Sequence, residues 1–113
     1  MSAITQMQAV ELIRDHMKKI EPTNIIFAFK RMRLKPIRTS TVELMAACIA
    51  IHDLGLPIMP RVVTAVFGGK TDKNQGLHTL GDKKCLLLKR RDINKKPHHL
   101  EWTIDPLFLE NYK

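Results

Sequence analysis

The polar side chains between residues 70 and 80 have the chemistry to recognise base edges in a DNA groove. Lysine, asparagine, glutamine, histidine and threonine provide the hydrogen-bond donors and acceptors that this recognition requires. Leu77 and Leu80 stand among them at helical spacing and predict a helix from about Asp72 to Lys83, with an apolar inner side. Gly76 and Gly81 each lower its stability by about 1 kcal/mol relative to alanine, which leaves its length open. The candidate contacts on this helix and the turn before it are Lys70, Thr71, Lys73, Asn74, Gln75, His78 and Thr79.

A second candidate surface lies in the basic loop that follows. Residues 89–99 hold five lysines and arginines and two histidines against a single acid, Asp92. A loop of this composition is expected to attract the phosphates of a nucleic acid. The candidate contacts here are Arg90, Arg91, Lys95, Lys96 and His98.

Metal binding and catalysis have little support in the sequence. His98 and His99 could be proposed as metal ligands together with Cys85. Neighbouring residues of a strand point to opposite faces, however, so both histidines cannot easily bind one ion. The chain has no nucleophile elbow, phosphate-binding loop, dinucleotide fingerprint or zinc-protease motif. Cys48 and Cys85 stand in apolar contexts without CxxC spacing, which is typical of buried thiols. We therefore expect no enzyme, no metal site and no cofactor.

The composition favours a polyanionic partner. The 113 residues suffice for one domain, and the net charge of +8 with a pI near 9.8 makes nucleic acid the first expectation. No apolar run approaches the roughly 20 residues that span a bilayer, and the N-terminus lacks the apolar core of a signal peptide. We therefore expect a cytoplasmic protein without a membrane partner.

Two helices are predicted before the core. Apolar residues recur at spacings of three and four over residues 4–20 and predict an amphipathic helix that ends before Pro22. This helix either packs on its own domain or serves as a homodimerisation arm. A second helix is predicted from an N-cap at Thr23 to a stop at Pro36, and its basic run could reach phosphates beside the main contact surface. The apolar positions of the first helix are Ile4, Met7, Val10, Ile13, Met17 and Ile20, and the basic run comprises Lys30, Arg31, Arg33, Lys35 and Arg38.

The centre of the core is predicted to be the helix over residues 41–54, which is apolar on most sides. Ser40 and Glu43 have the spacing of a capping box at its start, and Gly55 can provide the left-handed residue at its end.

A short helix, a tight turn and the polar helix are predicted to follow. Pro60 suits the first turn of the short helix, Gly68 and Gly69 permit the positive φ values of the turn, and Thr71 can cap the polar helix.

Two strands are predicted next, CLLLKRRDI and HHLEWTI. In the second, Leu100, Trp102 and Ile104 alternate with polar residues, which is the period of a half-buried strand. In the tail, Leu107, Phe108 and Tyr112 are expected to pack back onto the domain or onto a partner chain. The predicted fold is mainly helical α+β in a single domain, with N-terminal helices over residues 1–38, a winged helix-turn-helix core over 39–104 and a tail over 105–113.

This order of elements resembles that of winged-helix transcriptional regulators, most nearly those of the MarR and SarA type. The resemblance covers about residues 24–104 and rests on the segments KRMRL, DLG, PRVVTAVFG, LGDKKC, LLLKRRD and LEWTI. It implies that the polar helix enters the major groove of double-stranded DNA, while basic residues of the hairpin, the wing, contact the minor groove or the backbone. Proteins of the MarR type usually continue into long dimerisation helices, whereas this chain ends nine residues after Ile104. A dimer would have to form differently, and the helix over residues 4–20 is the candidate.

The alternative is a winged helix that binds another protein or RNA, because a fold alone does not determine function. The net positive charge favours DNA over a protein partner and leaves RNA open. A small regulator encoded by a phage or plasmid fits the sequence equally well.

Overall fold

The computed structural model describes residues 5–84, 86–91 and 100–112. Within them the chain is a mainly helical α+β structure with one small antiparallel sheet, which confirms the mainly helical α+β class and leaves the winged helix a prediction. A wide π-helical turn, Thr79–Lys83, continues directly from the fifth helix. The elements in chain order are α1 Gln6–Met17, α2 Pro22–Arg31, α3 Thr39–Asp53, α4 Pro60–Val66, α5 Asn74–His78, β1 Leu87–Arg91, β2 Leu100–Ile104 and α6 Pro106–Tyr112.

The helix α3 forms the centre of the core, as the sequence predicts. It contacts α1, α2, α4, α5 and β2, so almost every side of it is covered. An isolated helix could not remain apolar all round in water, and this packing explains why α3 can. The buried residues of α3 are Val42, Leu44, Met45, Ala46, Ala47, Cys48, Ile49, Ala50 and Ile51.

The start of α3 differs from the prediction. The helix begins at Thr39 after an extended Arg38, and no side chain caps its N-terminus. Ser40 therefore already lies in the first turn, so the predicted capping box with Glu43 does not form. A capping box forms instead at the start of α1, where the amide of Gln8 donates to Thr5 Oγ1 at 3.2 Å and the amide of Thr5 donates to Gln8 Oε1 at 3.0 Å.

The helix α1 packs on its own domain, against α3 and α4. Its residues Val10 and Ile13 are buried, and Ile20 just beyond its end is buried as well. Arg14 links α1 to the end of α4, because its Nε donates to the carbonyl of Val66 at 3.0 Å. The inward face of α1 is thus already used within the chain, while Met7 remains 74% exposed. A homodimer through this helix stays a prediction, and Ile4 lies outside the described residues.

Both predicted ends of α2 are wrong. The helix begins at Pro22, with Glu21 as the N-cap, so Thr23 lies inside the first turn. The same proline ends the preceding segment and starts this helix, because its fixed φ suits the first helical position. The helix ends at Arg31, before Pro36, since Arg33 takes a left-handed conformation with φ of 58°.

The tail forms a helix, α6, that was not predicted from the sequence. Phe108 is fully buried, with its ring edge-on to Phe29 at 6.1 Å between centroids and stacked on Tyr112 at 5.7 Å. Arg31 Nη1 also donates to the carbonyl of Asn111 at 2.6 Å. The expected packing of the tail onto the domain is confirmed for Phe108, whereas Leu107 is 55% exposed.

The predicted β-hairpin is confirmed. Strands β1 and β2 pair in antiparallel register with Leu87 opposite Ile104 and Lys89 opposite Trp102. Trp102 and Ile104 are buried, while Thr103 is exposed, as the alternation of the strand predicts. The backbone of Ile58, just before α4, also bridges to the hairpin, since the amide of Trp102 donates to the carbonyl of Ile58 at 2.8 Å.

In the described part of the chain, no helix has both the length and the apolar character needed to cross a membrane.

Candidate nucleic-acid interface

The helices α4 and α5 are joined by the tight glycine turn that the sequence predicts. Pro60 begins α4, and Val63 and Val66 bury its inner side. Gly68 and Gly69 have φ values of 95° and 77°, which a residue with a Cβ rarely adopts. The chain therefore turns sharply at the end of α4, before the segment that leads to α5.

The helix α5 begins later than predicted. Its N-cap is Lys73 and its first residue is Asn74, so neither Thr71 nor Asp72 belongs to it. The predicted cap by Thr71 is wrong, because other oxygens satisfy the free backbone amides. Asp72 Oδ1 accepts from the amide of Asn74 at 3.0 Å, and Thr64 Oγ1 of α4 accepts from the amide of Lys73 at 3.0 Å. The start of α5 is thus held partly by α4.

Two glycines bring α5 and the π-helical turn close to their neighbours. A Cβ added at Gly76 would lie 2.7 Å from Leu44 Cδ2 of α3. A Cβ added at Gly81 would overlap the ring of Trp102 in β2. From the sequence, these glycines are expected only to lower the stability of the helix. In the structure they also permit close packing at both contacts.

The π-helical turn directs the end of this segment against the hairpin. Its wider winding is visible in the bond from the amide of Lys84 to the carbonyl of Thr79, at 3.1 Å and five residues apart. Leu77 and Leu80 are buried as predicted and anchor the inner side. Single π-helical turns of this kind are frequent at functional sites.

The predicted base-reading residues divide into two groups according to their contacts. Lys70, Thr71 and Gln75 are exposed, and Asn74 is half-buried. These four residues lie in the turn and on the first part of α5. Their side chains could reach a groove of DNA without rearrangement of the protein.

The other three predicted readers make contacts within the chain. Lys73 Nζ lies 5.0 Å from the centre of the Phe67 ring. His78 Nδ1 lies 3.3 Å from Asp82 Oδ2, and its ring is edge-on to Trp102 at 5.1 Å. Thr79 Oγ1 donates to the carbonyl of Gln75 at 3.0 Å. These side chains support the shape of the helix, and a base contact would compete with the contacts described here.

The second predicted surface is described only in part. Arg90 and Arg91 lie in β1, where their backbones pair with Glu101 and Leu100. Lys95, Lys96 and His98 lie outside the described residues.

Two further basic residues belong to the same region of the chain and were not among the predicted contacts. Arg61 is exposed in the first turn of α4, and Lys83 is exposed at the end of the π-helical turn. Their signal in the sequence was their position: Arg61 immediately follows Pro60, and Lys83 stands at the predicted end of the polar helix. Asp72 and Asp82 are exposed as well, so this surface is mixed in charge and only moderately positive.

A groove of about 290 Å³ separates the start of α3 from α5. Ser40, Glu43 and Leu44 line one side of it, and Lys73 and Thr79 line the other. The groove places the N-terminal turn of α3 beside the polar helix.

The described residues offer no cluster of three or more His, Cys, Asp and Glu side chains that could hold a metal ion. Cys48 is fully buried in α3, as predicted, and burial raises the pKa of its thiol to about 12. A thiol with so high a pKa is almost entirely protonated at neutral pH and therefore a poor nucleophile. Cys85 lies outside the described residues.

Comparison with models of protein families, with curated proteins and with solved structures found no match for this chain. Any function must therefore be argued from the arrangement of its residues.

Proposed function

We propose that this protein binds double-stranded DNA in a sequence-specific manner as a winged helix-turn-helix regulator. The observation that carries the proposal is the bridge between Ile58 and Trp102. It joins the segment just before α4 to strand β2 of the hairpin that follows α5. The chain thus contacts the same small sheet before and after the helix pair, as expected of a winged helix.

In this proposal α5 enters the major groove and selects the sequence. Gln75 is the principal reader, because it is exposed and can form a bidentate contact with adenine. Lys70 and Thr71 contact the adjacent backbone from the glycine turn. Arg90, Arg91, Lys95, Lys96 and His98 of the hairpin region provide further contacts to phosphates or the minor groove.

The net charge supports DNA over a protein as the main partner, while RNA stays an alternative. A winged helix that serves only as a protein adaptor does not require a charge of +8, whereas a DNA-binding protein must neutralise phosphates. The MarR and SarA type, and a homodimer on a palindromic site, belong to the same proposal. Sedimentation of the purified chain with and without duplex measures the number of subunits bound.

The affinity for duplex DNA is expected to fall steeply with salt. If about five phosphates are neutralised, log K should change with log salt with a slope of about −4 to −5. Between roughly 50 and 200 mM salt the affinity would then fall by about 250- to 1,000-fold. Fluorescence anisotropy with a labelled duplex measures this slope, and binding that is independent of salt would contradict the proposal.

A double variant of the predicted wing tests this salt dependence, and a second double variant serves as its matched control. Lys95→Ala combined with Lys96→Ala should weaken binding to all duplexes alike and reduce the slope by about 2. Lys18→Ala combined with Lys19→Ala removes the same charge from the end of α1, where both lysines are exposed, and should change the slope little.

Gln75→Ala is expected to relax the preference at one base pair by about 1 to 3 kcal/mol. The side chain is exposed, so the fold should be unaffected. Selection of bound sequences from a random duplex pool, done in parallel with the wild type, measures the preference at each position. Gln6→Ala on α1 is the matched control, and an identical enriched motif for Gln75→Ala and the wild type would exclude Gln75 as a reader.

A further inference from the structure

A basic groove with an apolar floor lies at the C-terminal end of α2, and its lining does not overlap that of the groove beside α5. Its cavity volume of about 640 Å³ is in the range of pockets that bind ligands. Leu34 and Ile37 are half-buried and form the floor, while the cations around them are exposed. We call it the α2 groove, and it is lined by Lys30, Arg33, Leu34, Lys35 and Ile37.

The cations of the α2 groove differ from their neighbour Arg31. Arg31 is committed to the protein itself, because its guanidinium donates to the carbonyl of Asn111 at 2.6 Å. Among the described residues, no acidic side chain lines the groove and no ion pair involves its cations. The positive charge of the groove is therefore uncompensated at close range.

The backbone at Arg33 indicates that an arginine here serves more than the fold. Helices α2 and α3 end in the same way, with an amide bonded back across a left-handed residue: Leu34 to the carbonyl of Phe29 at 2.9 Å, and Leu56 to that of Ile51 at 3.1 Å. At the end of α3 the left-handed residue is Gly55, with φ of 72°, whereas at the end of α2 it is Arg33, with φ of 58°. A side chain makes this conformation unfavourable, and glycine is the usual solution. Arg33 thus occupies a strained position with its charge at the groove.

We propose that the α2 groove binds an acidic amphipathic peptide segment of a partner protein. Carboxylates of the segment pair with Lys30, Arg33 and Lys35, and an apolar side chain between them packs on Leu34 and Ile37. The apolar floor favours a peptide over a nucleic acid backbone, because phosphates require cations but gain nothing from contact with leucine and isoleucine. The lining of the α2 groove shares no residue with the proposed DNA contacts of α5 and the wing.

A titration followed by NMR tests this proposal on the full chain. The probe is a short synthetic peptide in which Asp and Glu are interspersed with Leu and Phe. We expect its addition to shift the amide resonances of residues 30–37 most strongly. Arg33→Gly should weaken its binding by about tenfold, which corresponds to the loss of one charge-assisted hydrogen bond.

Arg33→Gly also separates binding from folding. Glycine is favoured in a left-handed position, so the midpoint of thermal unfolding should be equal to or higher than that of the wild type. Lys19→Ala removes one exposed cation that does not line the α2 groove and should leave peptide binding unchanged.

Four results would overturn the proposal. The first is wild-type affinity in Arg33→Gly, and the second is a set of shifts that map away from residues 30–37. The third is equal binding of a peptide in which Ser replaces Leu and Phe, which would reduce the interaction to non-specific charge attraction. The fourth is a shift of residues 30–37 by duplex DNA alone, which would assign the groove to phosphates. A failure of the protein to bind duplex DNA would contradict only the proposed DNA function and not the proposed peptide site.

Discussion

Gly81→Ala is expected to lower the free energy of unfolding by about 3 kcal/mol, although helix propensity by itself predicts a gain of about 1 kcal/mol. A methyl group at this position would overlap the ring of Trp102, which is rigid and fully buried. The ring cannot move aside without opening the contact between the π-helical turn and the hairpin. Urea unfolding monitored by circular dichroism measures the change, because Trp102 is the single tryptophan of the chain and is itself replaced in the cycle below.

Two variants on the same segment calibrate this result. Gly76→Ala should cost less, because the atom that its methyl group meets is the flexible end of the Leu44 side chain, at 2.7 Å. Gln75→Ala replaces an exposed residue and should change the stability by no more than about 0.5 kcal/mol.

The clash can be tested directly by a double-mutant cycle. Trp102→Leu removes the ring, so Gly81→Ala should cost much less in that background than in the wild type. If Gly81→Ala stabilises the wild-type protein, the close contact between Gly81 and Trp102 is not present in solution. The proposed function adds a second consequence: displacement of α5 from the hairpin should weaken duplex binding as well.

Phe108→Ala is expected to lower the free energy of unfolding by about 3 to 5 kcal/mol. Phe108 is fully buried between Phe29 and Tyr112, and its removal leaves a cavity that α2 and α6 cannot easily close. Thermal and urea unfolding both measure this loss.

The neighbouring residue provides the control on the same helix. Leu107 is 55% exposed, so Leu107→Ala should cost well under 1 kcal/mol. Similar small losses for both variants would show that α6 does not belong to the core. A large loss for Phe108→Ala alone would establish that the last helix is necessary for the stability of the domain.

The elements that the sequence predicted well are those with strong local signals. The helix α3 has apolar residues on nearly every side. Pro60 and the glycine pair define α4 and the turn after it, and the alternation of apolar and polar residues defines β2. Each of these signals acts within a few residues and does not depend on the rest of the fold. The order of elements, and with it the location of the candidate interface on α5 and the hairpin, follows from them.

The predicted helix starts failed where several residues competed for the same role. Ser40 has the chemistry of an N-cap, but the backbone of Arg38 adopts the extended conformation and the helix begins earlier. At α5 the capping oxygens come from Asp72 and from Thr64 of the preceding helix. A bond between two helices is not visible in a local pattern.

The sequence by itself determined the mainly helical class, the buried central helix, the glycine turn and the hairpin, because these depend on local backbone preferences and on apolar periodicity. Only the tertiary structure decided how α1 and α6 are used, since both bury their apolar residues on partners far away in the chain. It also decided which polar residues of the candidate reader remain accessible. Gln75 is exposed, whereas His78 is turned to Asp82 and Trp102, and the two cannot be distinguished by residue type. The physical reason is that side-chain contacts are selected by the neighbours that folding brings together.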